Sequence, residues 1–482
     1  MIIEALKSSE RHYPVVVVGT GFGSLFFVHR LLQLRPEMKI LMLERGTFRS
    51  WDEQLAEKSN SAIPPGDTFI ASGNPKQWNF TIGYGGGTNC WFASTPRLHP
   101  NDFRLRSLYG RGQDWPISYD TLEPYYTAAE EIMDISGPDD LHLITPRSHP
   151  YPQPPHKFSS VDKVMKRAQP DKHFVLPTAR ARVANAQRPQ CCASFRCGLC
   201  PVGAKFTALN GLSHITEHPN VHILLEAEVL TLERSGASSI GSVRHRHLGK
   251  DEVVGCDLCV LGANAIHSPA ILLRSGIDHP LAGRGLNEQL GLSVEVLLNG
   301  LQNFDGSTIS VGANYSLYDG PFRSEHGSAW LIFNNHYPFG IRKEFGRWRE
   351  TVALSIAIEE EPLAENCVTV DREGNVIVHF EMHSPYAELG LQRTMDQLPK
   401  ILSPLPVEQI VFMGRRKTES HVQGTLRMGR SRNDSVVDHA QVHHDIRNLI
   451  VVGTSTMPTC TAAAPSLTTA ALSLRAADLA FG

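Results

Sequence analysis

Four consecutive valines, Val15 to Val18, form the first strong hydrophobic run of the chain. Such a run reads as a strand buried on both faces, as in a parallel sheet. The glycine-rich segment Gly19-Thr20-Gly21-Phe22-Gly23-Ser24 follows it. Next, Leu25, Phe26, Val28, Leu31 and Leu32 recur at helical spacing and give a helix one apolar face. Pro36 lies just beyond that helix, and a second apolar run, Ile40 to Leu43, ends at Glu44. This order is a βαβ opening. Further on, the pattern predicts a helix from Asp120 to Met133 with Asp120 as its cap. Pro146, Pro150, Pro152, Pro154 and Pro155 cannot continue a helix or a central strand, so they mark a crossover between domains. From Leu292 to Val411 the pattern changes to short alternating strands, such as Val352 to Ile358 and Val376 to Phe380. These predict an antiparallel sheet in a second domain. A strand from Leu449 to Val452 and a helix from Leu467 to Leu479 return the chain to the first domain. No internal repeat is visible.

Composition narrows the function classes. A chain of 482 residues has room for about two to four domains. Its 46 basic and 49 acidic side chains give a net charge of −3, which argues against a nucleic-acid-binding protein. No apolar run is long enough for a transmembrane segment. The start, Met1-Ile2-Ile3-Glu4-Ala5-Leu6-Lys7, lacks the basic and apolar regions of a signal peptide. The expected compartment is therefore the cytoplasm, and export with a partner subunit stays compatible with the sequence.

The glycine segment carries the first chemistry. Gly19-x-Gly21-x-x-Ser24 departs from the ideal fingerprint at its third glycine, with Gly23 one place early and Ser24 still small. Glycines let a backbone approach a pyrophosphate, whose charge is favoured at a helix N-terminus. Glu44 stands where an acidic ribose ligand is expected, and its charge disfavours a 2′-phosphate.

Several blocks spread along the chain resemble the glucose-methanol-choline (GMC) flavoprotein oxidoreductases. Gly85-Gly86-Gly87-Thr88-Asn89-Cys90-Trp91 is similar to the family's second glycine motif. Asn101-Asp102-Phe103, Trp115-Pro116-Ile117-Ser118-Tyr119 and Glu123-Pro124-Tyr125-Tyr126 resemble its next block. Gly262-Ala263-Asn264 and His421-x-x-Gly424-Thr425-x-x-Met428-Gly429 resemble later ones, as does Asn448-Leu449 through Pro458. The resemblance implies bound FAD and an α/β fold: a Rossmann-like FAD-binding domain and a substrate domain built on an antiparallel sheet. The expected boundaries are 1–145, 191–290 and 421–482 for the first domain, and 146–190 and 291–420 for the second and the crossover. The cofactor-binding residues so implied are Gly19, Gly21, Gly23, Ser24, Glu44, Gly86, Gly87, Asn89, Cys90, Val229, Gly262, Ala263, Gly453 and Pro465. Val229 is expected to meet the adenine.

By the same resemblance His421 is the catalytic base, taking an alcohol proton while a hydride passes to the flavin. The family usually carries a second His or Asn just before a proline near the C-terminus. Here that position is Ala464, which can neither donate nor accept. Thr461 and Ser466 are nearby replacements. Cys90 is expected to be a small buried cysteine, with attachment to the flavin as the sharper alternative.

Nine cysteines are present, and four fall together as Cys191-Cys192-x4-Cys197-x2-Cys200. Three readings are open: an iron–sulfur cluster, a structural zinc or disulfide pair, or unligated thiols. The first follows a similarity to the catalytic subunits of bacterial FAD-dependent glucose, gluconate and fructose dehydrogenases, although the spacing to Cys200 is one residue shorter. Cys256 and Cys259 lie three apart in an apolar strand, on opposite faces, so burial is expected rather than metal binding. The leading function is an FAD-dependent dehydrogenase oxidising an alcohol or sugar, with electrons leaving through the cluster to a protein partner or small subunit. An oxygen-using oxidase without a cluster, and an altered flavin-binding protein acting on a biosynthetic intermediate, are the alternatives. Asn334, Asn335, His336 and Arg342 are polar candidates for the substrate side.

Overall fold

A computed structural model describes residues 1–7, 11–337 and 344–482. The valine run sits in the strand His12–Val18, at the centre of an eight-stranded sheet. It pairs in parallel with Ile40–Leu43 on one side and Lys250–Leu261 on the other. Val221–Leu224 and Ile2–Ile3 continue the sheet in parallel beyond Ile40–Leu43. Leu449–Val451 also adds in parallel to Lys250–Leu261. An antiparallel extension, Ala227–Arg234 and Ile240–His247, completes the sheet beyond it. Every side chain from Val15 to Val18 and from Ile40 to Leu43 is buried, as a two-sided sheet requires. The helix Phe22–Leu34 packs against the C-terminal helix Ser466–Phe481, which in turn packs on Tyr119–Met133.

The cap of Tyr119–Met133 differs from expectation. Ser118 accepts from the Thr121 backbone N–H, and Asp120 lies in the first turn, where its charge favours the helix dipole. Cys256 and Cys259 are buried in the strand Lys250–Leu261, as their spacing predicts.

The second sheet has six strands, all antiparallel, in the order Val407–Arg415, Leu290–Leu298, Thr351–Ile358, Ala329–Asn334, Ser310–Asn314 and His173–Val175. Its two faces follow the period of two. Leu290, Leu292, Val294, Val296 and Leu298 face one way, into a core closed by Ala387, Leu398 and Ile401 of the helix Pro385–Ile401. Ser293, Trp330, Asn334 and Ser355 face the other way, into a cavity. A small three-stranded sheet joins Ile70–Gly73 to Val376–Phe380 and Cys367–Val370. Among the described residues no helix is long and apolar enough to cross a membrane.

A buried ionic network fastens the turn Pro100–Arg104 to the six-stranded sheet. The Arg323 guanidinium donates to Asp102 at 2.8 Å and to both carboxylate oxygens of Glu359, at 3.1 and 2.7 Å. All three side chains are almost fully buried. Removing one partner of such a set strands the others without compensation. Arg323→Met should therefore lower the unfolding free energy by about 3–5 kcal/mol, read from urea denaturation.

Candidate active site

A cavity of about 820 Å³ runs from the first glycine turn to the cavity-facing side of the second sheet. Gly21 is the N-cap of the helix Phe22–Leu34, and no side chain caps that end. The first backbone N–H groups of a helix lack intrahelical partners, and the dipole favours an anion there. A Cβ placed on Gly21 would meet nothing within 4 Å, so this cap opens into free space. Gly19 and Gly23 have the opposite reason to be glycine. Gly19 has φ +87°, and a Cβ there would lie 2.7 Å from the Gly262 carbonyl oxygen. A Cβ on Gly23 would lie 2.7 Å from the Gly453 backbone nitrogen. The uncapped helix end, the open space before Gly21 and the tight glycine contacts around it fit a dinucleotide pyrophosphate.

Gly19, Gly21, Gly23, Glu44, Gly86, Gly87, Cys90, Val229, Gly262, Ala263, Gly453, Pro465 and His421 all line the cavity. Two expected cofactor residues do not. Ser24 donates to the Val18 carbonyl and stands where a Cβ on Gly262 would go, so it serves helix-to-strand packing. Asn89 turns its amide to the Tyr84 carbonyl at 2.7 Å. Glu44 is in place, yet the protein already uses both of its oxygens. One accepts from the Thr20 N–H and hydroxyl, at 3.0 and 2.7 Å, and the other from the N–H groups of Gly46 and Gly83, at 3.0 and 3.1 Å. The carboxylate thus locks three segments of the cavity wall together.

At the far end, Ala464 and His421 face the polar side of the sheet. Ser310 donates to the Asn334 amide oxygen at 2.7 Å, and the Asn334 amide donates to Ser355 at 2.9 Å. Arg416 and Glu419, also on the wall, form a two-pronged ion pair with both contacts at 2.6 Å. The same guanidinium reaches the Leu292 and Ile356 carbonyls, which ties it to the sheet. Of the polar candidates, Asn334 and His336 line the cavity. Asn335 instead donates to the Thr308 carbonyl. Arg342 lies outside the described residues.

His421 is held from two sides by consecutive residues. Its backbone N–H donates to the buried Glu288 carboxylate at 3.1 Å, and its Nδ1 lies 2.9 Å from the Gln289 side-chain oxygen. Burial lowers the His421 pKa to about 4, with the Arg416 charge adding to that shift and Glu288 opposing it. The imidazole is therefore neutral at physiological pH and able to accept a proton.

The four-cysteine metal centre finds no support in the structure. Among the described residues no three or more His, Cys, Asp or Glu side chains are gathered so as to hold a metal ion. Cys191 contacts the Thr308 hydroxyl at 3.5 Å, while Cys192 is exposed to solvent. Cys197 is buried, and burial raises its pKa, with Cys191 and Cys200 adding to the rise. Consecutive side chains such as 191 and 192 readily point apart, which sequence spacing does not report. Cys90 is half-buried at the cavity wall, its thiol weakly placed toward the Gly87 carbonyl at 3.7 Å.

Gln289, Arg416 and Glu419 were not singled out by the sequence reading. Their signal is weak: they are ordinary polar residues flanking a strand and preceding His421.

A Rossmann-like sheet and an open helix N-terminus at one end of the cavity, with a histidine at the other, fit a dinucleotide-dependent oxidoreductase. Residues 171–291 and 403–473 match two GMC oxidoreductase family models, N-terminal and C-terminal respectively. These matches make the chain similar to the GMC oxidoreductases, a family of FAD oxidoreductases acting on alcohol groups. It is 26% identical to the fructose dehydrogenase large subunit of Gluconobacter japonicus, across 96% of this chain and 97% of that protein. It is also 26% identical to the 6'''-hydroxyparomomycin C oxidase of Streptomyces lividus, across 97% of this chain and 91% of that protein. Among solved structures it resembles pyridoxine 4-oxidase from Mesorbium loti, with a TM-score of 0.67 and 17% identity over 97% of this chain and 99% of that one.

Because Gly23 meets the Gly453 backbone, Gly23→Val should disturb the cofactor end of the cavity without touching His421. The expected result is loss of most bound flavin absorbance and a destabilisation of about 1–3 kcal/mol. Retained wild-type flavin content would contradict the assignment of this turn.

Proposed function

We propose that the protein oxidises an alcohol group of a hydroxyl-rich small molecule, such as a sugar or a glycoside, with His421 as the proton acceptor. The observation that carries this is the single cavity joining the glycine cradle to His421 and to the polar sheet face. FAD, when bound, supplies the hydride acceptor. Gly19, Gly21, Gly86 and Gly262 would hold its phosphate and ring portions by backbone contact, and Val229 its adenine end. His421 Nε2 takes the hydroxyl proton, which makes the carbon a better hydride donor. Ser293, Ser310, Asn334 and Ser355 offer hydroxyl and amide groups that suit several substrate hydroxyls at once. The Arg416–Glu419 pair cancels its own charge locally, which suits a neutral polyol over an anion. The relatives named for fructose and hydroxyparomomycin support the same class.

Anaerobic addition of candidate sugars and glycosides should bleach the flavin absorbance in wild type. His421→Ala should keep its flavin and lose about 10²–10⁴-fold in the rate of that bleaching. Full bleaching at the wild-type rate in the variant would remove His421 from the role.

The pH dependence follows from burial of the same residue. Protonated His421 cannot accept a proton, so activity falls as pH drops through its pKa. With that pKa lowered to about 4, kcat/KM should stay flat through the ordinary histidine range and fall only near pH 4. A limb near 6.5 would mean that the base is solvated in the free enzyme.

A further inference from the structure

His421 has two ring nitrogens, and only one can serve as the base. Gln289 decides which. It is 1% exposed and precedes the strand Leu290–Leu298. Its side-chain nitrogen donates to two backbone carbonyls, Thr461 at 2.8 Å and Ala463 at 2.9 Å. Carbonyl oxygens only accept, so this end of the amide must be the NH₂. The other end is then the oxygen, and it faces His421 Nδ1 at 2.9 Å. An amide oxygen also only accepts, so Nδ1 must carry the hydrogen. In the alternative tautomer two lone pairs would oppose each other at a buried contact, leaving both unsatisfied. Nε2 is left bare, with no protein partner among the described residues, in a ring that lines the cavity.

The same amide bonds the carbonyl of Ala463, the residue before Ala464, whose side chain can stabilise no charge. When Nε2 gains the hydroxyl proton, the ring becomes an imidazolium whose Nδ1–H points at the Gln289 oxygen. We propose that Gln289 is the positioning residue that holds His421 as its Nδ1–H tautomer, and that its amide oxygen, in place of a polar side chain at position 464, stabilises the imidazolium formed during turnover. The inference rests on His421 being the base. The step balances within the family's reaction: the substrate O–H proton goes to Nε2, the C–H hydride to the bound flavin, and a carbonyl results. The charged groups facing His421 are Glu288, itself paired with Lys76 at 2.6 Å, and Arg416, paired with Glu419. Both pairs stay intact in the variants below, so they serve as a constant background.

The test uses the flavin-loaded protein labelled with ¹⁵N-histidine, with the His421 signals assigned by their absence in His421→Gln. Long-range ¹H–¹⁵N spectra distinguish the two neutral tautomers directly, without turnover. Wild type should show the Nδ1–H form from about pH 5 to 8. Gln289→Leu should lose that single form and reduce the flavin about 10–100-fold more slowly. Gln289→Glu keeps an acceptor at Nδ1 but surrenders the contacts to Thr461 and Ala463. It should retain the Nδ1–H form and move the acid limb of kcat/KM to higher pH, because a carboxylate favours the imidazolium. It also decides the matter if Gln289→Leu fails to fold or to hold flavin. An Nε2–H tautomer in wild type overturns the proposal. So does a Gln289→Leu protein with wild-type tautomer, rate and pH limb, or a Gln289→Glu protein whose acid limb does not move. Wild-type turnover in His421→Ala, with the tautomer still lost in Gln289→Leu, would sink the base reading and the imidazolium clause while upholding the positioning.

Discussion

Distant chain segments meet at this site backbone against backbone, and the rest of the structure depends on the lack of side chains at those meeting points. A Cβ on Gly19 would press on the Gly262 carbonyl, one on Gly23 on the Gly453 nitrogen, and one on Gly86 on the Gly21 Cα at 2.9 Å. Each glycine costs about 0.5–1 kcal/mol of extra chain entropy on folding. In return, four segments converge around one helix N-terminus. The contact at Gly453 is the one with the longest reach. It seats Leu449–Val451 beside Lys250–Leu261, and the helix Ser466–Phe481 then covers Phe22–Leu34. The same course of the chain carries Ala462, Ala464 and Pro465 along the cavity wall, opposite the sheet.

The second constraint is the alternation of the six-stranded sheet. One face must bury aliphatic side chains under the helix Pro385–Ile401, so the other is free to carry hydroxyls and amides. A shift of one residue in any strand would exchange the two faces. The buried Arg323 network guards against such slippage, because Glu359 directly follows the strand Thr351–Ile358 and Asp102 belongs to the turn Pro100–Arg104. The cavity lining and stability therefore share one register.

Much of this was legible in the sequence because it is local. The valine run, the glycine turn and the acid at Glu44 lie within a single βαβ unit, and their spacing states their relation. The alternating strands from Leu292 onward likewise announced a two-faced sheet. Ser118 took the cap from Asp120 because both are good caps, and only the backbone course separates them. The cysteine spacing gives proximity along the chain, while metal binding also needs directions. Cys191 turns to Thr308 and Cys192 to solvent. Gln289 was invisible because its meaning comes from three partners more than 100 positions away.

The choice of an amide beside His421 is consistent with the rest of its surroundings. Burial already opposes charge on the ring, Arg416 adds to that, and the Glu288 carboxylate meets the backbone N–H of the histidine, not its ring. A carboxylate at position 289 would reverse the balance by holding the ring protonated, and a protonated ring cannot take up a hydroxyl proton. A neutral acceptor orients the ring equally well and leaves it basic but uncharged until substrate arrives. With His421 as the proposed base, the ring becomes charged only during the reaction, when the Nδ1–H contact strengthens because its donor becomes ionic. Differential stabilisation of that kind lowers the barrier, whereas a permanent charge would bind the resting ring too well.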